Sequence, residues 1–274
     1  MPWGYIELAV AFLAFGALAK LCPCNRGQNA FVSPELVDNV LYWGLGAFFL
    51  GGAADLYLRA GVGLALPHGA AAALAALYAG YGPASRLPLL VQAMLLLLAM
   101  DFAQYWLHRL FHGRALWPFH AIHHSAETLD WTTTYRIHPV NFLVYTAGAV
   151  ALVRLVGFSA AAYAIVAPFN VVMSPLVHAN LNWTFGPFRY VLASPVFHRW
   201  HHVKDPKVHN RNFAPTFPVL DLVFGTFYMP KGVLPADYGA EGTPPHFLAQ
   251  LAHPFVVTAA RLGLKPKART AATA

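Results

Sequence analysis

The reading of this chain turns on DFAQYWLHRLFHGRALWPFHAIHHSAETLDWTTTYRIH, residues 101–138. The stretch holds HRLFH (His108, His112), FHAIHH (His120, His123, His124) and a single His138. HRWHH (His198, His201, His202) follows after a long apolar stretch, and eleven of the fourteen histidines lie between His108 and His209. At 3.6 residues per turn, Asp101, Gln104, Tyr105, His108 and His112 fall within about 100° of one another. An apolar helix therefore ends in a polar stripe, and polar side chains in membrane helices face the bundle interior. HxxxH sets two imidazoles one turn apart on one face, where they can share a metal. Asp101, two turns before His108, is placed to accept a ring N–H and so fix a ligand's tautomer. Its other reading is an ion pair with an arginine.

On a helix, HxxHH puts its first and last histidine on one face and displaces the middle one by about 60°, so the triad can serve two neighbouring metals. Composition alone predicts roughly 0.04 such triads in a chain of this make-up, and there are two. Eight imidazoles in three boxes exceed the four that close a structural zinc site, so two metals are indicated. Imidazole suits Zn, Cu, Fe and Ni alike. No cysteine lies within the cluster, which argues against an iron–sulfur centre.

The chain is 58% hydrophobic and 11% charged, with a mean hydropathy of +0.49, whereas soluble domains carry about 25% charged residues. The expected fold class is an all-α integral membrane protein: a transmembrane helical bundle with a cytoplasmic, histidine-rich helical cap. The net charge of +7 comes without a nucleic-acid motif, and the bases sit beside apolar segments, so membrane orientation explains them and no nucleic acid is expected. Cys22 and Cys24 are too few for a disulfide framework and lack the paired spacing of a zinc site.

Residues 5–19 read as a retained first helix, not a signal peptide, since no basic segment precedes them. Ser33-Pro34-Glu35 opens a second helix reaching Arg59, with Asp55 and Arg59 spaced to pair. The Ala-rich piece 68–80 is short for a span. A third helix follows Pro88 and is long enough to cross. Residues 140–156 and 159–178 read as a helical hairpin about Gly157, with Pro168 and Pro175 kinking its second arm. With three spans before His108 and the Ala-rich piece not crossing, Lys20, Arg26 and every Lys and Arg after Leu107 except Arg154 lie on one side, fifteen against three (Arg59, Arg86, Arg154). The positive-inside rule then puts the N-terminus outside and the histidines in the cytoplasm. One domain is expected over residues 1–274: N-terminal membrane helices (1–88), a catalytic core (89–228) and a tail (229–274).

These motifs, taken in order, resemble the fatty acid hydroxylase / sterol desaturase superfamily. The resemblance rests on Asp101 to His112, Phe119 to Ser125, Arg136 to Pro139, His178 to Asn180, His198 to His202 and Phe224 to Thr226. It implies a non-haem di-iron membrane enzyme that uses O2 and two electrons to hydroxylate or desaturate a lipid, such as a fatty acyl chain, sterol, sphingoid base or ether lipid. It implies His108, His112, His120, His123, His124, His198, His201 and His202 as ligands, with His178 as a further one. His138 is the tenth candidate, its other role being to orient Arg136 or the cap. Asp101, Tyr105 and Asn180 stand as catalytic candidates on the same motifs, and His209 as an outer partner beside the loop formers Asn210 and Asn212.

No haem-attachment, flavin or nicotinamide motif accompanies the boxes, so an external electron donor of ferredoxin or cytochrome b5 type is expected. A basic face (Arg189, Arg199, Lys204, Lys207, Arg211) would attract an acidic donor or lipid headgroups. Trp106, Trp131, Tyr135, Trp183 and Trp200 read as interfacial anchors. Two rival functions fit the same histidines: a zinc-dependent membrane hydrolase, since such sites activate water, and a non-enzymatic metal carrier. A carrier would spread its ligands along a membrane pathway, whereas these follow the spans.

Overall fold

The computed structural model describes residues 13–48, 78–80 and 82–264, and these are helical with no strand beyond one bridge between Val203 and Tyr238. Helices α1 (residues 13–21) and α2 (residues 36–48) lead to α3 (Leu89–Phe111), α4 (Trp117–His124), α5 (Pro139–Val156), α6 (Ala160–His178), α7 (Pro195–His201), α8 (Val219–Val223) and α9 (Phe247–Arg261). The start of the expected first helix, the Asp55/Arg59 pair and nearly all of the Ala-rich piece lie outside the described residues.

α3 begins after Pro88, which ends the preceding extended backbone, and runs 23 residues without a breaker. At 1.5 Å per residue this is roughly 35 Å, enough for a hydrocarbon core of about 30 Å. Its buried stripe is Gln92, Leu96, Met100, Asp101, Tyr105 and His108. Its exposed stripe, Leu90, Met94, Leu98, Phe102, Trp106 and Leu110, is wholly apolar. A helix that faces water keeps that side polar, so this pattern is that of a helix facing lipid. α3 and α6 are both long and apolar enough to cross a membrane, and Pro139–Val153 of α5 is apolar but shorter.

The hairpin forms as its sequence predicts. Gly157 closes α5 in the left-handed conformation (φ 75°), and the Ser159 hydroxyl caps α6 by accepting from the Ala162 N–H. A Cβ on Gly157 would lie 2.2 Å from the Gly82 Cα, so only glycine permits this crossing. Gln92 of α3 accepts from the Ser159 N–H and hydroxyl at 3.2 and 2.8 Å, which pins the hairpin tip to the start of α3. Ala93, Leu96 and Met100 then pack against Val153, Ala162 and Val166. As a result α3 and α6 end together, at His108 and His178.

A second core lies beyond that end, where Leu129, Met173, Val177, Val196, Phe197 and Trp200 meet under α7. The N-terminal part braces it. Arg136 is buried with Glu35 at 3.5 Å and Asp38 at 3.9 Å, and Trp43 Nε1 donates to the Thr132 carbonyl at 2.8 Å. Of the expected interfacial aromatics, Trp131 and Trp200 are buried, as ring packing within these cores requires. Arg199 likewise leaves the expected basic face: its side chain is fully buried, because it turns inward from HRWHH to the carbonyls of Leu129 and His178.

Candidate metal centre

HRLFH ends the long helix α3, while each of the other two histidine boxes sits on a short helix that its own sequence starts. Pro118 lies in the first turn of α4, and Ser194 caps α7 by accepting from the Phe197 N–H at 3.2 Å. The boxes face each other and divide into two groups. His108, His112, His120, His124 and His201 form one; His123, His178, His198 and His202 form the other, and within each group the ring nitrogens lie within 4.8 Å of one another. The sharing is reciprocal. In FHAIHH the i and i+4 rings enter the five-membered group and the i+3 ring crosses to the four-membered one. In HRWHH the i and i+4 rings enter the four-membered group and the i+3 ring crosses back.

The outer nitrogens fix how the rings point. His108 Nδ1 donates to the Phe213 carbonyl at 2.8 Å, His120 Nδ1 to Asn141 Oδ1 at 2.7 Å and His201 Nδ1 to the Arg211 carbonyl at 2.7 Å. Carbonyl oxygens only accept, so each Nδ1 carries the hydrogen and each Nε2 presents a lone pair. All five Nε2 atoms of the first group are buried without a protein partner. In the second group, His178 Nδ1 donates to the Ser174 carbonyl at 2.8 Å. Its Nε2 lies 3.2 Å from His123 Nε2 and 3.0 Å from His198 Nε2, and His202 Nε2 lies 3.1 Å from His198 Nε2. Metal–imidazole bonds of about 2.0–2.1 Å, as for zinc, set tetrahedral ligand nitrogens roughly 3.3 Å apart. Converging, buried lone pairs at this spacing fit a metal cation in each group; without one they would carry a large desolvation cost.

Burial holds the imidazoles of His112, His120, His123, His124, His198, His201 and His202 well below the ordinary range, and neighbouring imidazoles lower them further. The rings are therefore neutral, as ligands must be. The folded state rejects protons that the unfolded chain accepts below about pH 6.5. Unfolding is then coupled to proton uptake, and stability falls as pH drops through that value. We expect the unfolding midpoint of the metal-free, detergent-solubilised protein to drop between pH 7 and pH 5; a midpoint that is flat or rises in acid would contradict the buried, neutral rings.

The loop after α7 supplies two of the outer acceptors, and its geometry comes from NRN. Asn210 and Asn212 take left-handed backbone, with φ of 60° and 56°, a region that asparagine tolerates. The Asn212 amide then donates to the Phe197 and Tyr228 carbonyls. Two buried acids hold the same loop. Asp221 accepts from the Phe213 and Ala214 N–H groups, and Asp101 from those of Thr216 and Phe217. Asp101 thus acts on His108 through the loop that carries Phe213, not through the ring itself. Tyr105 reaches the Thr226 hydroxyl at 2.9 Å. Asn180 accepts from the Asn25 N–H at 2.8 Å and donates to its carbonyl at 2.9 Å. Both side chains bind the framework beside the histidines. His138 stands outside both groups: its Nδ1 accepts from the Val140 N–H, and its Nε2 lies 3.1 Å from the Leu251 carbonyl. His209 is exposed, 3.0 Å from the Lys204 carbonyl.

Asn141 was not singled out in the sequence, although it stands three residues after His138 in a polar interruption of an apolar helix, and that interruption was the available signal. It is fully buried, and its carbonyl oxygen fixes His120. Outer partners of this kind contribute about 10–100-fold to metal affinity. Asn141→Leu should therefore weaken metal uptake by the five-histidine group by that order, read by metal titration, while helix content stays unchanged. Unaltered affinity would show that His120 needs no such partner.

Nine imidazoles in two adjoining groups, set where two apolar helices end, define a histidine-rich metalloprotein of the membrane-associated kind. Residues 93–226 match the family described as fatty acid hydroxylase, a span that contains both groups, and the chain belongs to the fatty acid hydroxylase / sterol desaturase superfamily. It is 33% identical to ornithine lipid hydroxylase OlsE of Rhizobium tropici over 66% of this chain and 56% of that protein. It is 31% identical to alkylglycerol monooxygenase of Xenopus tropicalis over 49% of this chain and 30% of that protein. It is 30% identical to very-long-chain aldehyde decarbonylase GL1-6 of Oryza sativa subsp. indica over 46% of this chain and 21% of that protein. The chain therefore spans just over half of the first relative and under a third of the other two. No solved structure matches it.

Proposed function

We propose that this protein is an O2-dependent lipid oxidoreductase with an iron ion in each histidine group. The observation that carries the reading is the pair of adjoining groups of inward-facing, neutral imidazoles. His108, His112, His120, His124 and His201 would hold one ion, and His123, His178, His198 and His202 the other. Bound there, two irons supply the activation of O2 and the removal of hydrogen from an unactivated C–H bond. The relatives named for ornithine lipid and alkylglycerol support a lipid substrate.

The chain's own residues do the rest. The carbonyls of Phe213, Arg211 and Ser174, with the Asn141 amide, hold the ring tautomers and keep Nε2 turned inward. Phe111, Phe213 and Trp117 pack on the rings and hold them in place. The outward apolar stripe of α3 faces the bilayer and brings the substrate's environment up to the site. Residues 89–228 form the catalytic core on this reading. The helices before His108 complete a membrane bundle, and the histidine cap lies in the cytoplasm. Hydroxylation uses one O2, two electrons and two protons and releases one water, so a separate reductase partner of ferredoxin or cytochrome b5 type supplies the electrons.

Anaerobic purification followed by metal analysis and O2 uptake tests the proposal. About two irons per chain, as the two ligand groups imply, together with lipid-dependent O2 consumption would support it. Zinc alone, with ester or amide hydrolysis and no O2 uptake, would replace it with the hydrolase reading.

A further inference from the structure

A cavity of about 470 Å³ opens directly on the five-histidine group: His112, His124 and His201 form its floor, beside Trp117. Its outer wall carries Arg114, Lys204 and Arg261, with Glu241 the one acid among the lining residues. Lys204 is already engaged by Asp237 at 2.8 Å, which leaves the two arginines as the anion-binding pair. They are held together, since Arg261 donates to the Arg114 backbone carbonyl and the Arg114 side chain stays exposed. Guanidinium groups recognise carboxylate and phosphate oxygens through paired hydrogen bonds.

The surroundings give this cavity a level in the membrane. α9 ends at Arg261, and its exposed Leu248, Phe255, Val256 and Leu262 share one face at helical spacing. That face is uncovered among the described residues. The opposite side packs on the core, with Gln250 and Pro254 buried. A helix with an apolar face and a terminal base lies in the plane of the bilayer interface, which puts the cavity mouth among the headgroups.

Resting on the lipid reading above, we infer that Arg114 and Arg261 bind an anionic oxygen group, carboxylate or phosphate, in the headgroup of the substrate. A space of this size holds a drug-sized ligand, that is, a headgroup and a short piece of its chain. The carbon brought to the histidines is then one close to the headgroup, not one at the far end of an acyl chain.

The test is equilibrium binding by the full-length protein in nanodiscs of uncharged lipid, with two probes that differ by one phosphate: a monoacylglycerol phosphate and the matching monoacylglycerol. The phosphate lipid should bind about tenfold tighter, the scale of one charge-assisted hydrogen-bonded pair. Arg114→Glu should erase that preference. Lys207→Glu, the same charge change outside the cavity, should keep it. No preference in the unaltered protein, or equal loss in both variants, would overturn the inference. Inorganic phosphate binding as tightly as the phosphate lipid would also overturn it, by making the arginines a site for free anions. Turnover plays no part in this measurement. O2 uptake with either lipid is read separately, so a failure of the oxidase reading leaves the binding result intact.

Discussion

Exchanging His123 for alanine should leave a protein that keeps the metal of the five-histidine group and loses the other, and exchanging the adjacent His124 should do the converse. The two residues are consecutive on α4, yet one joins His178, His198 and His202 and the other joins His108, His112, His120 and His201. Each variant should fall from about two bound ions per chain to about one, the count that one ligand group can hold. Losing one of four imidazoles, or one of five, costs more than losing an outer hydrogen-bond partner, so on the proposed function lipid oxidation should fall by more than about a hundredfold in both. The measurement is metal content per chain, with a spectroscopic signature to identify which site is filled. If either variant keeps both metals, or both lose the same one, the division into two groups is wrong. Helix content should hold in both, because α4 also packs through Ile122 and Phe119, which the substitutions leave in place.

The largest effect on stability is expected at Arg199. Its guanidinium is buried, with no carboxylate of the described residues in hydrogen-bond contact. It donates to the carbonyls of Leu129, His178 and Ala179 and to the side chains of Asn25 and Gln28, and it lies over the Tyr238 ring. One planar side chain thus joins the N-terminal loop, the segment after α4, the end of α6 and α7. Arg199→Met would strand these acceptors in the interior and should cost about 3–5 kcal/mol, the scale for breaking a buried charged network. Arg199→Lys should recover little, because an ammonium cannot serve acceptors spread across a plane. The unfolding midpoint in detergent reads both. A shift within about 0.5 kcal/mol would mark Arg199 as peripheral. Since the His178 carbonyl is among its acceptors, the Met variant should also bind metal more weakly in the four-histidine group.

Histidine spacing is the part of the site most legible in the sequence. HxxHH on a helix requires two rings on one face and one off it, and FHAIHH and HRWHH both divide that way. The hairpin was equally plain, because Gly157 and Ser159 carry their turn and cap chemistry locally. The roles of Asp101, Tyr105 and Asn180 were not legible. A polar residue on a site-facing stripe has the same spacing whether it touches a ring or a loop, and only the fold brings Thr216, Thr226 or Asn25 to it. Arg199 misled for a related reason: basic residues are read as surface until a helix is seen to have no exposed face. The carbonyls of Phe213 and Arg211 escaped because a backbone oxygen has no sequence signature, whereas Asn141 left one, a polar interruption of an apolar helix.

The reciprocal sharing of the two boxes bears on how the site tolerates change. Each short helix is fastened to both centres at once through consecutive or near-consecutive residues, so the gap between centres is gauged by the pitch of a helix and not by any loop. Rotating α4 or α7 would tighten one centre while loosening the other. The inter-centre distance is thereby insulated from variation in the connecting segments. The wall of the cavity, built from Arg114 and Glu241 on those segments and from Arg261 at the end of α9, lies outside that gauge and can vary without changing it.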